Sequence, residues 1–170
     1  MIQETEAVQK VKSVYAGELT LDEITILFGI RDLFQAVIEG RAQFNLVAEA
    51  VGAKLDSLIK FGLDLNDLKN IDALLFVKQI GDSVPFLEDK KENATPEELE
   101  FAKDIVGIIN FTVRNSINIG FVLNILSHDL AEIMRKGSLA KALEWGFTPK
   151  SQTWREFTEG AVGDPEPDQD

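Results

Sequence analysis

The chain has 170 residues, of which 45% are hydrophobic and 27% charged, and its formal net charge is −12. This length and composition are typical of one soluble globular domain with a substantial core. The acidic balance disfavours direct nucleic-acid binding, because phosphate backbones require lysine and arginine. The absence of cysteine excludes disulfides, thiolate chemistry and zinc–cysteine sites.

The first ten residues lack the basic start and the apolar run of a signal peptide. We therefore predict no signal peptide and a cytoplasmic or virion location. The least polar stretch, residues 105–127, is long enough to cross a bilayer, but it carries Arg114 and several asparagines that are costly in lipid. We interpret it as a buried helix and predict no membrane span.

After a weakly periodic helix at residues 3–16, two segments share one pattern: segment A, residues 20–62, and segment B, residues 95–137. Each opens with a T-x-x-E capping box, in which hydroxyl and carboxylate satisfy free amides of the first helical turn. Each ends at a glycine that closely follows a cationic residue, as helix C-termini often do. The matched signals are Thr20 with Thr95, Glu23 with Glu98, and Gly62 with Gly137.

Apolar residues in both segments recur at steps of three and four, which is the seam of a coiled-coil-like helix. The pattern predicts an all-α helical bundle built on two long helices, continuous or kinked, of about 40 residues each, or roughly 60 Å. Gly40–Arg41 and Asn115–Ser116 are poor helix formers at corresponding points, so two shorter helices joined by a turn are the alternative. We interpret the match as an internal duplication, with coincidence of two amphipathic helices as the alternative.

Shorter elements complete the predicted domain, which covers residues 1–158. A short helix capped by Asp64 or Asn66 is expected before Gly81. A helix capped by Ser138 is expected at residues 139–145, and one or two turns at 151–158. Residues 159–170 are acidic and contain two prolines, so we predict a tail without regular structure.

The sequence offers weak support for catalysis or metal binding. His128 is the only histidine, and one imidazole without a second histidine or a cysteine is poor evidence for a metal site. Phosphate-binding, dinucleotide-binding and nucleophile-elbow motifs are absent from the sequence. We therefore predict that the protein is not an enzyme and has no metal or cofactor.

Two groups of residues are candidates for interaction. Glu39 lies in a polar lane of segment A, and Arg114 occupies the matching position in segment B. These lanes are either solvated faces or faces that meet and pair Glu39 with Arg114, within a chain or between chains. The second group is aromatic and either caps the bundle or binds a partner. Its members are Trp145, Phe147, Trp154 and Phe157.

These patterns favour a non-enzymatic structural or interaction subunit of a larger assembly, and a viral structural or assembly protein would fit this description. Because the apolar stripes are wide, we expect a homo-oligomer or a protein partner. One alternative is a bundle that binds a small apolar ligand beside the glycines of the long segments. Those glycines are Gly29, Gly40, Gly52, Gly107 and Gly120. Another alternative is an acidic mimic that blocks a nucleic-acid-binding protein.

Overall fold

The all-α bundle is confirmed in a computed structural model that describes residues 6–87 and 94–162, with side chains described over 8–87 and 94–156. The described residues form eight α-helices. These are α1 (Glu6–Tyr15), α2 (Leu21–Ile38), α3 (Phe44–Lys60), α4 (Ala73–Asp82), α5 (Pro96–Asn115), α6 (Ile119–Lys136), α7 (Leu139–Glu144) and α8 (Lys150–Val162).

Each long segment folds as two helices joined by a turn, which corrects the expected continuous helices in favour of the alternative. Segment A becomes α2 and α3, and segment B becomes α5 and α6. The breaks fall where helix propensity is lowest. Gly40 has φ +77° and Ser116 has φ +53°, and such left-handed backbone ends an α-helix. The turns bring successive helices of a segment into contact.

The two segments start their helices in register. The Thr20 hydroxyl accepts from the Glu23 amide at 3.1 Å, and the Glu23 carboxylate accepts from the Thr20 amide at 2.8 Å. The Thr95–Glu98 box has the same two bonds, at 3.1 and 3.0 Å. Both capping boxes are therefore confirmed. The starts of α2 and α5, and of α3 and α6, are separated by the same 75 residues as the two capping threonines.

The turns inside the two segments also make reciprocal backbone contacts. Gly17, which precedes segment A, donates its amide to the carbonyl of Ser116 in the turn of segment B at 2.9 Å. Leu87, which precedes segment B, donates to the carbonyl of Arg41 in the turn of segment A at 2.8 Å. Arg41 and Ser116 correspond at the offset of 75. Each segment is thus tied to the chain that leads into the other.

The helices form two three-helix units around one core. Unit A consists of α2, α3 and α4, and unit B of α5, α6 and α8; in each, the third helix packs on the other two. The units meet through α2 on α5 and α3 on α6. At this junction the ring of Phe101 meets those of Phe34 and Phe44 edge-on, with centroids 6.5 and 5.6 Å away. α1 lies against α8, and α7 against α5 and α6.

Two shorter elements differ from their predicted bounds. α4 begins after Asp72, whose carboxylate accepts the Leu75 amide at 3.2 Å. Asp64 instead accepts the Asn66 amide at 2.9 Å in the preceding turns, because a short aspartate side chain also stabilises turns. α8 extends to Val162, so residues 159–162 of the expected tail are helical. Residues 163–170 of that tail lie outside the described part of the chain.

Over the described ranges, no helix combines the length and the apolar character needed to cross a membrane. The apolar stretch at 105–127 instead forms parts of α5 and α6, and most of its aliphatic side chains lie in the core.

Candidate interaction site

The most elaborate polar and aromatic site of the described chain holds α8 against α1, α5 and α6; we call it the α8 docking site. Trp154 of α8 is buried in an aromatic cluster at its centre. Its ring centroid lies 5.2 Å from that of Phe121, 5.9 Å from Phe111 and 6.4 Å from Tyr15, each in an edge-on arrangement. Tyr15 also stacks on Phe121 at 3.7 Å. Large aromatic side chains in such contacts contribute strongly to packing.

Asp129 of α6 holds the N-terminal end of α8. Its side chain is fully buried, and its two carboxylate oxygens accept the backbone amides of Lys150 and Ser151, each at 2.8 Å. A carboxylate at this position satisfies free amides and complements the helix dipole. Burial raises the pKa of Asp129, and the two amide hydrogen bonds offset that effect only in part.

Arg155 of α8 is held by two carboxylates of α5. Its guanidinium lies 2.6 Å from Asp104 and also contacts Glu100. Asp104 is only 2% exposed, and a buried carboxylate of this kind needs a partner such as this cation. Removing one partner of a buried pair leaves an uncompensated charge and is strongly destabilising. Arg155 therefore fixes the position of α8 along α5.

In unit A, α4 packs on α2 and α3 as α8 packs on α5 and α6 in unit B, but its contact with α2 is a close apolar one. Val77 of α4 packs against Gly29 so closely that a Cβ on the glycine would lie 2.6 Å from two Val77 methyl carbons. Gly29 corresponds to Asp104 at the offset of 75. Lys54 corresponds in the same way to Asp129, and its ammonium lies 5.6 Å from the centre of the Phe76 ring. The two buried carboxylates of unit B thus have no carboxylate counterpart in unit A.

The described members of the predicted aromatic group differ in their surroundings. Trp154 belongs to the buried cluster, whereas Trp145 is 73% exposed and has the Lys136 ammonium 4.4 Å from its ring centre. Phe147 is half-buried, 6.4 Å from the ring of the exposed His128. The remaining member, Phe157, lies in α8, and its side chain is outside the described residues.

The polar lanes give Glu39 and Arg114 separate neighbours. Glu39 pairs with Arg41 at 2.8 Å and accepts a hydrogen bond from Gln35 at 3.2 Å. The Arg114 guanidinium lies 6.0 Å from the centre of the Phe111 ring. These neighbours belong to each residue's own segment. A Glu39–Arg114 pair between two chains stays a prediction.

Three glycines of the segments allow close approach rather than leaving space for a ligand. Besides Gly29, a Cβ on Gly52 would lie 3.1 Å from Leu130, and one on Gly120 would overlap Asn66. A cleft of about 610 Å³ does exist, but it lies at the surface between α1 and the turn at Ser116 and is open to solvent. These positions do not supply the buried apolar cavity that the ligand-binding alternative requires.

Unit A exposes large apolar side chains at the ends of its three helices. Leu21 at the start of α2 is 79% exposed, Phe61 at the end of α3 is 85% exposed, and Leu74 near the start of α4 is 74% exposed. We call these three residues the apolar ends of unit A. Unit B has Pro96 and Lys136 in place of Leu21 and Phe61 at the offset of 75. Gln152 takes the place of Leu74 when α8 is matched to α4 through Val77 and Arg155.

Sequence reasoning missed the carboxylates that hold α8. Their signal is an acidic residue in phase with an apolar stripe: Asp104 lies three residues after Phe101, and Asp129 three after Leu126. Such a position points a charge into the core, which requires a partner there. The partner of Asp104 is Arg155, which lies in a short helix that shows no strong periodicity of its own.

A scan of protein-family models and searches of curated proteins and of solved structures found no match to this chain.

Proposed function

We propose that the protein is a non-enzymatic interaction subunit that works by binding another copy of itself or another protein. The observation that carries this proposal is the exposure of the apolar ends of unit A on a fold whose other large apolar side chains are mostly buried. Exposed apolar side chains that lie together mark interfaces, and we propose that these three helix ends act in this way. Their counterparts in unit B are polar residues or a proline.

The proposed interface lies at the helix ends of unit A, whereas the sequence predicts one on the apolar stripes of the segments. The wide stripes of the segments were expected to need a partner, but Ile30, Phe34, Val51 and Leu126, among others, are buried within the chain. The chain covers these stripes itself because the segments fold back at their turns. We therefore propose that association uses the exposed helix ends of unit A.

We further propose that the two units arose by internal duplication. The matching capping boxes, the common offset of the helix starts and the reciprocal backbone contacts of the turns support this idea. Two unrelated amphipathic helices need share none of these features. On this view, unit B lost the apolar ends that unit A presents to its partner.

Light scattering over a concentration series that stays well below the millimolar range tests the proposed self-association. We expect the mass to rise above the 18.9 kDa of the monomer. A Phe61→Glu/Leu74→Glu variant should remain monomeric, because carboxylates at an apolar contact are costly to desolvate. The matched control, Lys136→Glu/Gln152→Glu, places the same charges on unit B and should associate like the unmodified protein. A wild-type monomer at every concentration would refute the homo-oligomer and leave only a different protein as partner.

A further inference from the structure

We infer that the α8 docking site also accepts α8 of a second copy, so that two chains exchange their C-terminal helices. This inference deepens the proposed function, on which it rests, by naming a partner and a second contact surface. The surface is a groove formed by α1, α5 and α6, and its ligand is a helix that carries a tryptophan followed by an arginine.

The contacts that recognise α8 are independent of how α8 is connected. Asp129 lies about twenty residues before the amides it holds, and Glu100 lies 55 residues before Arg155. Trp154 likewise fills a cluster built from α1, α5 and α6. An identical helix from another chain can therefore make the same hydrogen bonds, ion pairs and ring contacts.

The connection between α7 and α8 is short and constrained. Gly146 has φ +91° and donates to the Leu143 carbonyl at 3.0 Å, and Phe147 donates to the Ala142 carbonyl at 2.9 Å. These bonds fix the chain until Thr148, so only Thr148 and Pro149 span the gap to α8. Short hinge loops favour exchange of the element that follows them, because the exchanged form allows the hinge to extend.

The position of α8 in the chain also permits exchange. It is the last helix of the described residues, so it can leave its groove without drawing another described element with it. α4 provides the contrast, since it is connected to helices on both sides. Exchange of α4 would require the whole of unit B to move.

The protein concentration determines whether α8 docks in its own chain or is exchanged between two chains. A short connection gives the chain's own α8 an effective concentration on the order of millimolar. Exchange should therefore become appreciable as the protein approaches that concentration, or when the hinge is too short to reach the groove of its own chain. Native mass spectrometry of ¹⁵N-labelled and unlabelled Phe61→Glu/Leu74→Glu protein, incubated together at about 1 mM, should show mixed dimers, since association through unit A is removed in that variant.

The decisive experiment shortens the hinge by deleting Thr148. We expect a dimer of twice 18.9 kDa by light scattering, with the amides of Lys150 and Ser151 still protected from hydrogen exchange. The control adds Arg155→Glu to the deletion in a protein that also carries Phe61→Glu/Leu74→Glu, so that unit A does not associate. It should be monomeric with unprotected α8 amides, because the new carboxylate would face Asp104 and Glu100 in either chain.

Two results would overturn the inference. One is a monomeric deletion variant whose α8 amides have lost protection, which would show that α8 binds only within its own chain. The other is a dimer that survives Arg155→Glu, since it would not depend on α8. Adding Phe61→Glu/Leu74→Glu to the deletion separates the two surfaces. The exchange dimer should survive those substitutions even if association through unit A fails.

Discussion

In units A and B, a third helix packs on the other two helices, but different contacts hold it. In unit A, α4 meets α2 through close apolar contact at Gly29 and Val77. In unit B, α8 meets α5 through the ion pair of the buried Asp104 with the half-buried Arg155, and Asp129 of α6 caps its first turn. Apolar contact is non-directional and tolerates changes of pH, whereas the polar contacts need charge and geometry together. The docking of the third helix in unit B is therefore the contact that solution conditions or a binding partner can change.

The most damaging change to unit B should be Trp154→Ala. Replacing a buried tryptophan by alanine costs about 3–5 kcal/mol, which we expect to be lost from the docking of α8. Chemical unfolding should then show a separate early transition, while hydrogen exchange in unit A stays slow. Trp145→Ala is the matched control, since Trp145 is 73% exposed, and it should change stability little. A single transition that is shifted as a whole would show that α8 is inseparable from the core.

The corresponding test of unit A is Gly29→Ala. The added Cβ would lie 2.6 Å from Val77 methyl carbons, and overpacking of this kind costs about 1–3 kcal/mol. Gly107→Ala is the control, because a Cβ there meets nothing within 4 Å; it should be neutral or stabilise by up to about 1 kcal/mol through helix propensity. Val77→Ala should relieve part of the Gly29→Ala loss. Equal effects of the two glycine substitutions in thermal unfolding would contradict the close contact.

The fold was largely predictable because its signals are local. Capping boxes and apolar periodicity at Thr20 and Thr95 predict where α2 and α5 begin, and low helix propensity near Gly40 and Ser116 marks the breaks. Low helix propensity alone does not predict that the chain turns at these points. The turns form because folding back buries apolar stripes that are distant in the sequence.

The docking site was less predictable, because its partners lie far apart in the sequence. Glu100 and Arg155 meet only when α8 lies along α5. Trp154 and Trp145 look equivalent in the sequence, yet one is buried and the other is exposed. Only Asp104 and Asp129 provide a local signal. Each is a charged residue in phase with an apolar stripe, and such a position requires a partner from another part of the chain.

Asp129→Asn tests the polar cap of unit B through its pH dependence. Burial raises the pKa of Asp129 in the folded state, so its ionisation opposes folding. Its contribution to stability should be most favourable at acidic pH and should decline as pH rises through the folded-state pKa. The wild-type advantage over the variant, expected at about 0.5–2 kcal/mol for a lost cap, should shrink in that direction. Urea unfolding at several pH values measures it.

The control for this experiment is Asp32→Asn, at an exposed aspartate 3.1 Å from Arg31. Any pH dependence that both variants share does not come from the cap. A wild-type advantage that instead grows with rising pH would show that the two amide hydrogen bonds of Asp129 outweigh its burial.

The smallest expected effect concerns the feature that the two units share. Thr20→Ala and Thr95→Ala each remove a capping hydroxyl 3.1 Å from its amide, and loss of such a cap costs about 1 kcal/mol. Because the geometry is the same, we expect nearly equal losses in thermal unfolding, and the double variant should lose their sum because the sites are separate. A large inequality would locate the difference between the units in how their first helices are held. Equal losses would confine the difference to the contacts of the third helix, which involve Gly29 of α2 in unit A and Asp104 of α5 in unit B.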